Sequence, residues 1–88
     1  VEIVYPADDA KIFIPKEING QKGNTVFSAT HKNSNAKLFW HIDDVFMATT
    51  EKFHQLAVNP TMGKHILTVV DAEGNSATKE FEIIEKEN

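Results

Sequence analysis

Residues 63–75 read GKHILTVVDAEGN. The run Leu67-Thr68-Val69-Val70 is apolar and rich in β-branched residues, which suits an extended, half-buried strand. Asp71 ends the run, and a short polar stretch containing Gly74 follows. The next segment, ATKEFEII at 77–84, alternates again. Two such runs joined by 72–75 form a β-hairpin, with Gly74 supplying a left-handed turn position. In front of the run, Gly63-Lys64-His65 follows Asn59-Pro60-Thr61-Met62, a set of corner residues. The stretch therefore reads as corner, strand, turn and strand.

The same pattern continues toward the N-terminus. Extended segments are expected at 1–5, 11–14, 25–31, 36–42, 45–49 and 53–58, separated by turn residues. Pro6-Ala7-Asp8-Asp9, Pro15, HKNSN at 31–35 and Asp43-Asp44 mark the breaks. KEINGQKGN at 16–24 is the longest loop and is expected to be the most mobile one. The charged tail EKEN is expected to fray. No window carries apolar residues at helical spacing over three turns. Seven or eight strands in 88 residues leave no room for crossover helices. Parallel pairing is therefore not expected, and two antiparallel sheets packed face to face are.

One spacing sharpens this. Immunoglobulin-like sandwiches bury a Trp on one central strand. They also carry a Tyr two residues before an inward position of a later strand, where it ties down a corner. Trp40 stands eleven residues after Ala29, sharing a strand face with Leu38 and Ile42. Gly63-Lys64-His65-Ile66-Leu67 repeats the corner spacing with His in place of Tyr. Leu67 and Ala29, or Phe27, take the positions that antibody domains give to cysteines. The expected fold is an all-β, immunoglobulin-like antiparallel β-sandwich over 1–88 as a single domain. Its inward set is Ile3, Ile12, Phe27, Ala29, Leu38, Trp40, Ile42, Leu56, Leu67, Val69, Phe81 and Ile83. Gly63, Trp40, His65, Asp71 and Gly74 are read as structural, with a ring nitrogen of His65 bonding backbone across the 59–62 turn.

Composition narrows the function classes. Net charge is −4 and the nine basic residues are scattered, which opposes a nucleic-acid role. There is no cysteine, so disulfides, thiolate metal sites and cysteine nucleophiles are excluded. No apolar run approaches the ~20 residues of a membrane span. The opening VEIVYPADD has neither Met nor a basic leader, and the chain is expected to be excised from a longer protein.

Three stretches of sequence carry a resemblance. They are Ile3-x-Tyr5-Pro6-x-Asp8-x-Ala10-x-Ile12, then Leu38-Phe39-Trp40-x-Ile42-Asp43, then Gly63-Lys64-His65-x-Leu67-Thr68-Val69-Val70-Asp71-x-x-Gly74. Together they resemble the C-terminal domain of bacterial penicillin-binding proteins of the 1C type, over about residues 3–84. The resemblance implies a parent that is a class A, bifunctional peptidoglycan synthase, anchored in the inner membrane of a diderm bacterium and facing the periplasm. One parent domain would polymerise lipid-linked disaccharide, and another would cross-link through an acylated serine. The C-terminal module would itself be non-catalytic and need no cofactor. Its partners would be other domains of the synthase or cell-wall proteins, with peptidoglycan as the alternative ligand. No nucleic acid is implied, and the module itself needs no membrane contact. The 16–24 loop departs from the family, as does His41, where another aromatic is expected.

Several motifs have a bland explanation. Ser76-Ala77-Thr78-Lys79 matches S-x-x-K, but on a strand the hydroxyl and amine would point to opposite faces. Asp71-Ala72-Glu73-Gly74-Asn75 lacks the ligand spacing of a calcium loop. Asp43-Asp44 reads as a turn rather than a catalytic pair. His31, His41, His54 and His65 show no zinc spacing. The remaining candidates are Phe39, His41 and Phe46. They stand opposite the Trp40 face and would form a surface binding patch.

Overall fold

The computed structural model describes residues 1–14 and 23–84. The expectation for the 16–24 loop falls mainly outside these residues, and that for the 85–88 tail wholly so. Among the described residues there are eight strands: β1 (Glu2–Tyr5), β2 (Ala10–Phe13), β3 (Thr25–Thr30), β4 (Lys37–Ile42), β5 (Val45–Glu51), β6 (Gln55–Val58), β7 (Gly63–Asp71) and β8 (Ser76–Ile84). They form a three-stranded sheet, β1-β3-β6, and a five-stranded sheet, β2-β8-β7-β4-β5. The all-β, immunoglobulin-like sandwich expected from the sequence is the architecture found.

Alternation dictates the packing. Leu38, Trp40 and Ile42 of β4 face inward, as do Leu67 and Val69 of β7 and Phe81 and Ile83 of β8. Ile3, Phe27 and Ala29 meet them from the smaller sheet. Phe27 packs edge-on to Phe81, with ring centroids 5.1 Å apart, the geometry that aromatic quadrupoles favour. Trp40, Phe27, Leu38, Leu67 and Val69 have no exposed surface. Ile14 and Val58 join the core in addition to the expected set, while Leu56 is only partly buried against it.

One ladder departs from the expected pattern. β2 runs parallel to β8, with Ala10 opposite Phe81 and Phe13 opposite Ile84. Parallel neighbours need a long crossover only when the chain joins them directly within one sheet. Here β1 lies in the small sheet and β2 in the large one, so the chain changes sheets at Pro6–Asp9. β2 thus reaches the far edge of the large sheet without a helix. Asp8 fixes the switch, its Oδ1 accepting the Glu80 N–H at 3.0 Å. The Asp9 N–H donates to the Glu80 carbonyl at 2.8 Å.

Candidate functional site

The inward set of β4 leaves Phe39 and His41 on the outer face of the five-stranded sheet. His41 lies opposite Phe46 of β5 on one side and Thr68 of β7 on the other. Its ring meets Phe46 edge to face at 5.7 Å. Phe39 lies between Thr49 and Val70. Phe39 and His41 are half-buried because a strand flanks them on each side. Phe46 sits on the edge strand and is 57% exposed. The structure thus brings the three residues together on one open face, continued by the exposed Ile66 and the half-buried Val70. His41 Nδ1 is buried with no hydrogen-bond partner among the described residues. Trp40 faces the opposite way, and its indole N–H donates to Thr50 Oγ1 at 2.8 Å.

Two polar clusters lie at the ends of β4, on the core-facing side of the same sheet. Beyond its C-terminal end, Asp43 and Asp44 have φ of 53° and 65°, the left-handed pair of a tight hairpin turn. That turn aims the Asp43 carboxylate at β7. Its Oδ1 accepts the Ile66 N–H at 2.9 Å, and its Oδ2 accepts from His65 Nδ1 at 2.5 Å. His65 Nε2 donates to the Thr61 carbonyl at 2.7 Å, and the ring stacks on Phe81 at 5.4 Å. A carbonyl and a carboxylate only accept, so the imidazolium form satisfies both nitrogens. Desolvation would raise the Asp43 pKa, but the hydrogen bond from His65, the Ile66 N–H and the His65 charge together hold it below 3.8. Gly63, at φ 113°, admits the chain to this corner.

At the other end, Asp71 is buried at the close of β7. Its Oδ1 accepts the N–H groups of Glu73 and Asn75, both at 2.9 Å, and so shapes the hairpin loop that Gly74 completes at φ 91°. Its Oδ2 accepts from His31 Nε2 at 2.9 Å. His31 Nδ1 in turn accepts the Asn33 N–H at 2.9 Å, which leaves Nε2 to donate to Asp71. The hydrogen bond from His31 is the main cause of an Asp71 pKa far below 3.8. Desolvation opposes it, and Asn75 and the Glu73 N–H add to it. Since His31 follows β3 and Asp71 ends β7, the pair ties the two sheets together.

His54 lies nearby. Thr50 Oγ1 accepts from Trp40 and hydrogen-bonds His54 Nδ1 at 2.7 Å. Burial, and then the positive charge that His31 carries when protonated, lower the His54 pKa below 6.5.

The sequence reading treated Asp43 as a plain turn residue and missed the pairs Asp43–His65, Asp71–His31 and Thr50–His54. The first two join residues 22 and 40 positions apart, a separation at which spacing carries no signal. The Ser76 and Lys79 of S-x-x-K lie within β8, opposite Val70 and the inward Leu67 respectively, on opposite faces of the sheet. Among the described residues no three His, Asp or Glu side chains are placed to hold a metal ion. The chemistry that the outer face offers is apolar and aromatic contact bordered by threonines.

The sequence profile of the Penicillin-Binding Protein C-terminus Family matches residues 1–82. Among solved structures, the fold is similar to the fibronectin(III)-like modules of Clostridium thermocellum CbhA. The TM-score is 0.71 at 9% identity, with 98% of each chain covered; at that identity the likeness concerns the fold alone. No curated protein matches the chain.

Proposed function

The chain belongs to the penicillin-binding protein C-terminus family, and from that premise we propose that it is a non-catalytic accessory module of a periplasmic, membrane-anchored peptidoglycan synthase of the 1C type. The parent would combine glycosyltransferase and transpeptidase domains. The module acts through protein contacts, either with those domains or with other cell-wall proteins. The observation that carries this reading is the outer face built by Phe39, His41 and Phe46, an aromatic surface on the five-stranded sheet. Exposed apolar area of this kind marks docking surfaces. Protein docking is preferred to glycan binding because Trp40, the side chain best suited to stack on a sugar ring, is fully buried.

The test is an NMR titration of the isotope-labelled chain with the catalytic part of its parent synthase. Shifts concentrated at Phe39, His41, Phe46 and Thr68, and abolished by Phe46→Ala, are expected. Shifts confined to the smaller sheet, or none at all, would overturn the assignment of this face.

A further inference from the structure

Residues of β1, β3, the loop after β3, the β5–β6 turn and β6 line an open cavity of about 470 Å³. His31, Lys52 and His54 are the ionisable residues of its lining, which holds no carboxylate. Ser28, Asn33 and Gln55 also line it, and each can donate hydrogen bonds. In a chain with 13 acidic and nine basic residues, this wall is unusual in offering cations and donors alone. His54 is the group placed to act there. Its Nδ1 is tied to Thr50 Oγ1, which accepts the Trp40 N–H, so the ring is anchored on the core. Its Nε2 is not buried and has no partner among the described residues. His31 differs, because Asp71 and Asn33 engage both of its ring nitrogens.

The charged groups around His54 are few. His31 and the exposed Lys32 follow β3, with Asp71 of β7 bonded to His31. Lys52 is exposed on the same turn as His54, and Glu51 before it lies opposite Lys37 of β4. Glu2 of β1, opposite Thr30, is the one carboxylate in the three strands of the smaller sheet. We propose that this cavity is an oxyanion site, which takes a ligand carrying a carboxylate or phosphoryl group through His54 Nε2–H and the Lys52 ammonium. Ser28, Asn33 and Gln55 supply neutral donors for the remaining oxygen lone pairs. Phe53, 64% exposed, also lines the cavity and offers an apolar surface to the rest of the ligand. The site does not depend on the accessory-module reading, and it lies apart from the Phe39–His41–Phe46 face. A bound anion favours the imidazolium form of His54, so binding takes up a proton and tightens as pH falls. Burial and the charge of protonated His31 act in the opposite sense on the empty site.

NMR of the isotope-labelled chain tests this, in separate titrations with sodium acetate and inorganic phosphate against sodium chloride at equal ionic strength. Saturable shifts at Asn33, Lys52, His54 and Gln55 are expected with at least one of the two oxyanions. The Trp40 indole N–H should move with them, because Thr50 couples it to His54. A response to acetate alone marks a carboxylate ligand, and one to phosphate alone a phosphoryl ligand. The affinity should rise from neutrality to about pH 6, a range in which acetate stays ionised. Lys52→Asn suits the positive φ of 67° at this position and should weaken binding at least several-fold. His54→Asn should abolish the pH dependence. Shifts no larger than those of chloride, or spread evenly over the exposed lysines, would overturn the proposal. So would an affinity unmoved by Lys52→Asn, or equal at neutrality and at the lower pH.

Discussion

The imidazole of His65 donates to the Asp43 carboxylate at 2.5 Å and to the Thr61 carbonyl at 2.7 Å. One side chain thus joins the β4–β5 turn to the corner before β7. The side chain of His65 is only 10% exposed, so its partners cannot be replaced freely by water.

Replacing His65 with Ala removes both bonds and the stack on Phe81, and leaves the Thr61 carbonyl without its donor. A loss of about 2 kcal/mol is expected. That corresponds to a melting temperature lower by roughly 10 °C for a domain of this size. Calorimetry of His65→Ala checks it. An unchanged melting temperature would remove the structural role assigned to this residue.

Acid should destabilise the fold through Asp71 and Asp43. Both carboxyls have folded pKa values below their ordinary 3.8. The unfolded chain therefore takes up protons first, and stability rises with pH across that window. Their contribution is complete above 3.8 and is lost as pH falls through the depressed values. Thermal melts from neutral pH downward should show this fall. Asp71→Asn should be less stable at neutral pH and should have a flatter acid limb. A limb as steep as that of the parent would show that Asp71 is not its source.

His54 acts at milder pH. Burial and the positive charge of protonated His31 lower its pKa from 6.5, so protonation favours the unfolded chain. Its stabilising contribution is present above 6.5 and declines below it, toward the depressed value. The groups nearest to it are His31, Thr50 and, through His31, Asp71. His54→Asn retains a hydrogen-bonding partner for the Thr50 hydroxyl and should remove this part of the pH dependence. An unaltered profile below neutrality would rule the residue out.

Thr50→Val keeps the shape of the side chain and deletes the acceptor of the Trp40 N–H. The buried indole then lacks a partner, at an expected cost of about 1–3 kcal/mol. Urea unfolding followed by Trp40 emission reads this directly, because the native indole is fully buried. An unchanged midpoint would mean that water replaces the hydroxyl.

The sandwich was legible in the sequence wherever alternation was strong. Leu38-x-Trp40-x-Ile42 and Leu67-x-Val69 announce which way their strands face, and Gly63 and Gly74 mark their ends. The parallel place of β2 was not legible. Four residues show that a segment is extended but not which edge it joins, and that choice depends on the chain changing sheets at Pro6–Asp9. The outer face was readable because Phe39 and His41 alternate with buried residues, and Phe46 follows the Asp43-Asp44 turn. The polar clusters were hidden for the opposite reason. His31 meets Asp71, and Asp43 meets His65, only after β3, β4 and β7 have been laid side by side.

The central claim is that the Phe39–His41–Phe46 face serves protein docking rather than wall binding. Co-sedimentation of the chain with purified peptidoglycan sacculi, beside an unrelated β-sandwich, tests it most directly. The account predicts that the chain stays in the supernatant with the control, even at high protein concentration. Specific pelleting, lost in Phe39→Ala or His41→Ala variants that still fold, would contradict it and make this face a glycan-binding surface.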